Sequence, residues 1–146
     1  MGAYSFTDVV AQIVGPTGTS PLASGAGAAD EGISFEMTGD KNTMTTGADG
    51  SVMHSLHAEK SGRVIVRLLK TSPINAILQA MYDVQTSSGS LHGQNTIVCQ
   101  QKASGDVTTA QKCAFKRKPP LAYQKEGNVM EWEWDAGVID SVLGTY

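Results

Sequence analysis

Cysteine is scarce in this chain. Its only two, Cys99 and Cys113, are too few for a disulfide framework. A symmetric turn at Ser104-Gly105 would set Cys99 near Ala110 rather than Cys113, so free thiols are expected. Charge is scarce as well. Charged residues make up 17% of the chain, below the usual quarter. The formal net charge of −3 gives no electrostatic footprint for nucleic acid. No apolar run is long enough to span a bilayer, which argues against a membrane role. The opening MGAYSFTDVV lacks the basic end and apolar stretch of a signal peptide, so the protein is expected to remain in the cytoplasm where it is made. No GxSxG, Walker loop or GxGxxG in its required context is present, and no cofactor is expected.

Thr, Ser and Gly take the place of the missing charges and favour strands and turns. A length of 146 residues suits one domain, residues 1–146, with one core. A strand is expected from Phe6 to Val14, then a turn at Gly15-Pro16-Thr17-Gly18 and a weak strand from Ser20 to Ala28. From Glu31 to Thr38, Ile33, Phe35 and Met37 share one face with a period of two. Ser51 to His57 reads as a weaker strand. Arg63 to Lys70 is the strongest by residue type, with Ile65 and Leu69 on its second face predicting that this face is also partly covered. Ser72 and Pro73 begin the one convincing helix. Its apolar stripe is Ile74, Ile77, Leu78, Met81 and Tyr82, with Asn75, Gln79 and Asp83 on the polar side. Thr96 to Gln101 and Val107 to Phe115 read as a hairpin. Pro119-Pro120 interrupts pairing, and a short strand is expected from Leu121 to Lys125. In the last strand Met130, Trp132, Trp134, Ala136 and Val138 point to the core, with Glu131, Glu133 and Asp135 opposite. The sum is a mainly β fold, a two-sheet sandwich or open barrel with one flanking helix.

Between the strands at Met37 and Ser51 runs a long polar loop, Thr38 to Gly50. Loops of this length in a small domain are usually functional or disordered. Lys41, Asn42, Thr43, Thr45, Thr46 and Asp49 offer donors and acceptors, with few apolar groups among them.

Catalytic and metal chemistry finds little support. His54 and His57 stand three apart on a strand, hence on opposite faces, and no cysteine completes a tetrahedral set. Glu131 and Glu133 lie roughly 6–7 Å apart by strand rise, a spacing that would suit glycoside hydrolysis. No aromatic set on their face accompanies them. Lys116-Arg117-Lys118 reads as a solvated edge or a partner for nearby acids.

The run EGISFEMTGDKNTMTTGADGSVMHSLHAEKSGRVIVRLLKTSPINAIL resembles a family of bacteriophage tail tube proteins of contractile-tailed phages. Its hallmarks are the DKNTMTTGADG loop, the VMHSLHAEKSG turn and the RLLKTSPINAIL strand-to-helix step. The likeness extends through HGQN at His92 to Asn95 and WEWDAGVID near the C-terminus. The resemblance implies a virion protein of the tail, assembled in the host cytoplasm. It implies a tail-tube fold whose subunits form hexameric rings, stacked into a hollow tube. DNA passes through the lumen without specific binding. Sheath, baseplate and tail terminator proteins are the implied partners. The segment Thr38 to Gly50 then matches the loop that reaches an adjacent ring, and Met1 to Ser5 is a candidate second arm. Glu131, Glu133 and Asp135 are candidates for the lumen face, or for pairing with Lys112, Lys116 or Lys118 between subunits. A neutral or acidic wall avoids phosphate attraction. No catalysis is expected. The competing readings are a virion module that binds host glycans, which needs an exposed aromatic platform, and a small hydrolase using Glu131 and Glu133.

Overall fold

The computed structural model describes residues 2–23 and 28–145. After a short 3-10 turn at Phe6–Asp8, the chain forms β1 (Val9–Gly15), β2 (Gly18–Ala23), β3 (Ala28–Met37), β4 (Asn42–Thr46), β5 (Val52–Leu56) and β6 (Gly62–Leu69). The helix α1 (Ile74–Gln85) follows, then β7 (Asn95–Gln101), β8 (Asp106–Arg117), β9 (Val129–Ala136) and β10 (Val138–Val142). The mainly β expectation with one helix is therefore met. Residues 24–27 of the expected weak strand, and Met1 of the proposed arm, lie outside the described residues.

Two antiparallel sheets share one long strand. The first has the order β2-β1-β7-β8-β10, and the second β8-β9-β6-β3. The shared strand β8 changes sheets at Lys112, whose φ of 55° lies in the left-handed region that a bulge can require. Before this point β8 pairs with β10, through Gln111–Val138; after it, β8 pairs with β9, through Ala114–Asp135. The last strand is consequently two strands rather than one. Gly137 is their corner: its N–H donates to the Gln111 carbonyl at 3.0 Å, and a Cβ there would stand 3.0 Å from Lys112 Cβ.

The core lies where both sheets meet α1. Ala11, Ile13 and Ile97 come from the first sheet, Val64, Val66 and Leu68 from β6, and Trp132 and Trp134 from β9. Both tryptophans are fully buried, as the alternation predicts. Phe115 packs edge-on to Trp132 and Tyr82. The second face of β6 is covered only in part, since Ile65 is buried there while Leu69 is 45% exposed.

The helix is rotated relative to its predicted stripe. Its buried residues are Ile74, Leu78, Met81 and Gln85, whereas Ile77 is 43% exposed. Asn75, expected on the polar side, turns inward. Its Oδ1 accepts from Trp132 Nε1 at 3.1 Å, and its Nδ2 donates to the Leu69 carbonyl at 2.9 Å. Satisfying the buried indole N–H sets the angle of the helix. Leu78→Ala is expected to cost about 2–5 kcal/mol, while Ile77→Asp folds with near wild-type stability. Thermal melts of the two variants check this, and equal losses would mean the helix is seated differently.

Residues 121–125 do not form a strand. They follow Pro119-Pro120, which cannot donate to a ladder, and lie beyond the last β8–β9 pair, at Arg117–Glu133. They form instead an irregular strap held by Lys70, whose Nζ donates to the Ala122 carbonyl and sits 4.1 Å from the Tyr123 ring centroid.

Candidate assembly surfaces

The polar excursion is not a loop. Residues 42–46 pair with 52–56 in a two-stranded sheet of their own. Only the tip is a turn. There Gly47 N–H donates to the Ser51 carbonyl at 2.7 Å, and Gly50 takes a φ of 87°. Asp49 accepts from Ser51 N–H and Oγ at 3.0 and 2.6 Å. These bonds hold its carboxyl below the usual range. At the base, His57 N–H donates to the Lys41 carbonyl at 2.9 Å and Thr38 N–H to the Ser61 carbonyl at 3.0 Å. The ends of the hairpin thus leave the body side by side. β4 is exposed throughout, and β5 nearly so.

The residues Lys41, Asn42, Thr43, Thr45, Thr46 and Asp49 all lie on this hairpin, but several of their polar groups are engaged within it. Lys41 Nζ donates to the His57 carbonyl at 3.3 Å. Asn42 Nδ2 meets His54 Nδ1 at 3.1 Å on one face, and Thr43 Oγ1 meets His57 Nε2 at 2.7 Å on the other. The two histidines are therefore on opposite faces, each bonded to a β4 side chain. Among the described residues no group of three His, Cys, Asp or Glu is placed to hold a metal.

Cross-strand pairing exposes what the sequence reading missed. Asn42↔Leu56, Met44↔His54 and Thr46↔Val52 share one face. Met44, Val52 and Leu56 on that face are 59%, 52% and 86% exposed. Two of the three lie beyond Gly50, so a boundary drawn around the polar run excluded them.

A second surface is the outer face of the second sheet. Glu131, Glu133 and Asp135 stand together on it, but not as a bare acidic ladder. Arg67 Nε lies 3.2 Å from Glu131, and Lys116 Nζ 3.7 Å from Glu133. Asp135 is registered opposite Arg63, which binds Glu36 at 2.7 Å. Glu36 holds the Arg63 guanidinium above its ordinary value by its hydrogen bond and charge. Each acid therefore has a cation on a neighbouring strand, and the pairing partner expected between subunits, Lys116, is supplied within one chain. The outer face of the first sheet is different. Val10, Gln12, Val98, Gln100, Thr109 and Gln111 are uncharged and point away from the core. Charge enters this face at its β10 edge, where Asp140 stands opposite Thr109 and binds Lys60 at 3.4 Å.

Near the β8 kink, Gln85 and Asn95 form a buried reciprocal amide pair, at 2.9 and 2.6 Å. Gln85 Nε2 also donates to Thr17 Oγ1 at 3.0 Å, and Asn95 Nδ2 to the Cys113 carbonyl at 3.2 Å. This network ties α1, the β1–β2 turn, β7 and β8 together. Gly15 permits it, because a Cβ there would lie 2.1 Å from Asn95 Oδ1. Cys113 beside it is free and buried, and burial pushes its thiol up to about 12. The register sets Cys99 opposite Thr108 and Cys113 opposite Asn95.

This arrangement of two sheets sharing a strand, a flanking helix and an outlying hairpin is the fold of contractile injection system components. A chain of the anti-feeding prophage cap, the tube-terminating cap, superposes with a TM-score of 0.58 at 10% identity, covering 99% of this chain and 93% of that one. A chain of the extended sheath-tube complex of PVC, an extracellular contractile injection system, gives 0.59 at 10% identity, covering 97% and 92%. A chain of the PVC sheath/tube terminator gives 0.52 at 13%, covering 97% and 98%. A search of curated proteins finds no match. The family model described as bacteriophage PhiTE tail tube protein matches residues 1–144. The chain belongs to that family of phage tail tube proteins.

Proposed function

We propose that this protein is the tube subunit of a contractile phage tail, closing into hexameric rings that stack into the conduit for DNA ejection. The observation that carries this reading is the outlying hairpin. A two-stranded ribbon is marginal by itself, and this one holds four large apolar side chains in solvent, Met44, Val52 and Leu56 on one face and Met53 on the other. Such a ribbon is readily explained as an element that a neighbouring ring covers. Lys41, Asn42, Thr43, Thr45, Thr46 and Asp49 then order the hairpin and form its rim. Sheath, baseplate and terminator proteins are the further partners, and the mature location is the virion tail after assembly in the host cytoplasm.

The compensated face with Glu131, Glu133 and Asp135 is the proposed lumen wall. Protein interfaces deplete charge at their centres, which suits the uncharged part of the first sheet's outer face, on β1 and β7, to a protein neighbour. A lattice of paired charges suits a wall past which DNA must slide. The structural role needs no catalysis. In support, Glu131 and Glu133 face cations. Trp132 and Trp134 are buried and cannot serve as a glycan platform.

Negative-stain imaging of concentrated purified protein tests the proposal. Stacked rings or hollow tubes are expected; a subunit that remains monomeric at high concentration, with no rings, would refute it.

A further inference from the structure

We infer that the groove between α1 and the β1–β2 turn is the seat for the apolar hairpin face of a second copy of this chain. This rests on the ring-stacking role proposed above and names the surface that receives the hairpin. The groove has a volume of about 430 Å³ and is walled by residues 17–19 on one side and by Ala76, Ile77, Ala80 and Val84 on the other. No charged residue lines it. Ile77 and Val84 are 43% and 48% exposed, while Gly18, Ala76 and Ala80 keep the floor low enough for another backbone to approach.

The hairpin face matches it in chemistry and length. Met44, Val52 and Leu56 supply the apolar surface, and the polar pair Asn42–His54 on the same face is already hydrogen-bonded. Val52 and Leu56 are separated by about 13 Å along a strand. Ile77 and Val84 are separated by about 10 Å along a helix. Joining the two buries no ion, so it carries no ionic desolvation cost.

The occupant is a second copy because one chain carries both halves in equal number. Ribbon and groove are different surfaces, so the contact is heterologous. Each copy gives a hairpin in one direction and receives one from the other, and such contacts repeat along an axis. In a stack both apolar surfaces are covered except at the two ends.

The test uses assembled tubes of a Leu56→Cys, Ile77→Cys variant in a Cys99→Ser background, treated with a short bismaleimide. A ladder of covalent oligomers extending beyond dimer is expected on a denaturing gel. Intact tubes that yield only monomer would overturn the inference and leave the tube assignment standing. A second measurement compares pelleting of Ile77→Lys with wild type. At least a tenfold loss of tubes is expected from a subunit that melts normally. Wild-type pelleting by Ile77→Lys would also overturn the inference. Absence of rings and tubes from the unmodified protein would instead refute the tube assignment.

Discussion

Replacing residues 42–56 by Gly-Gly is expected to give a subunit that melts within about 2 °C of wild type and forms no tubes. The small melting change follows from burial. The hairpin is exposed along nearly its whole length, and changes at such sites usually stay within about 0.5 kcal/mol. The graft is short because Lys41 and His57 already face each other through a 2.9 Å hydrogen bond, the geometry that a two-residue Gly-rich turn closes. The assembly loss is large because it is multiplied. Even if each hairpin contributes only about 1.4 kcal/mol, roughly tenfold, six copies around the proposed ring multiply to about a million-fold in stacking. Sedimentation and negative stain read the result. Tubes of normal length from the shortened subunit would rule out a stacking role for the hairpin.

The second large effect concerns the charge lattice. Tubes of the Glu131→Gln, Glu133→Gln, Asp135→Asn variant are expected to retain short duplex DNA inside, protected from nuclease, where wild-type tubes retain none. The substitutions leave Arg67, Lys116 and Arg117 on a face that has lost three acids, and the formal charge of the chain moves from −3 to about zero. Each phosphate neutralised adds about 0.9 to the slope of log affinity against log salt. One or two new contacts per subunit, repeated along a duplex, therefore give retention at about 50 mM salt that collapses by about 200 mM. Folding should survive. Glu131 and Lys116 keep 44% and 37% of their side chains in solvent, and glutamine at the more buried position 133 keeps the shape of the glutamate while removing its charge. Folded variant tubes that protect no DNA at low salt would remove these residues from the proposed lumen wall.

Much of the fold was legible because it rests on local rules. The alternation of Met130, Trp132, Trp134 and Ala136 placed both tryptophans in the core, and they are there. The β-branched run at 64–66 marked the central strand of the second sheet. The helix was legible in existence but not in rotation. Its periodicity allows several apolar stripes, and the hydrogen bond from the Trp132 indole to Asn75 selected one that leaves Ile77 outside. The assembly surfaces were legible only in part. A polar run is easy to see, but the apolar face of the hairpin is shared between two strands and emerges only when their register is known.

The sequence by itself determined the class of the fold, the single helix, the buried tryptophans, the scarcity of charge and the family likeness. These depend on residue type and on spacing within a few positions. Tertiary structure decided that β8 bends from one sheet into the other at Lys112, that Gln85 and Asn95 meet in the interior, and that Glu131 and Glu133 face Arg67 and Lys116. It also decided that 38–50 is half of a ribbon. Each of these joins residues far apart in the chain, and no local propensity specifies which distant strand will supply the partner.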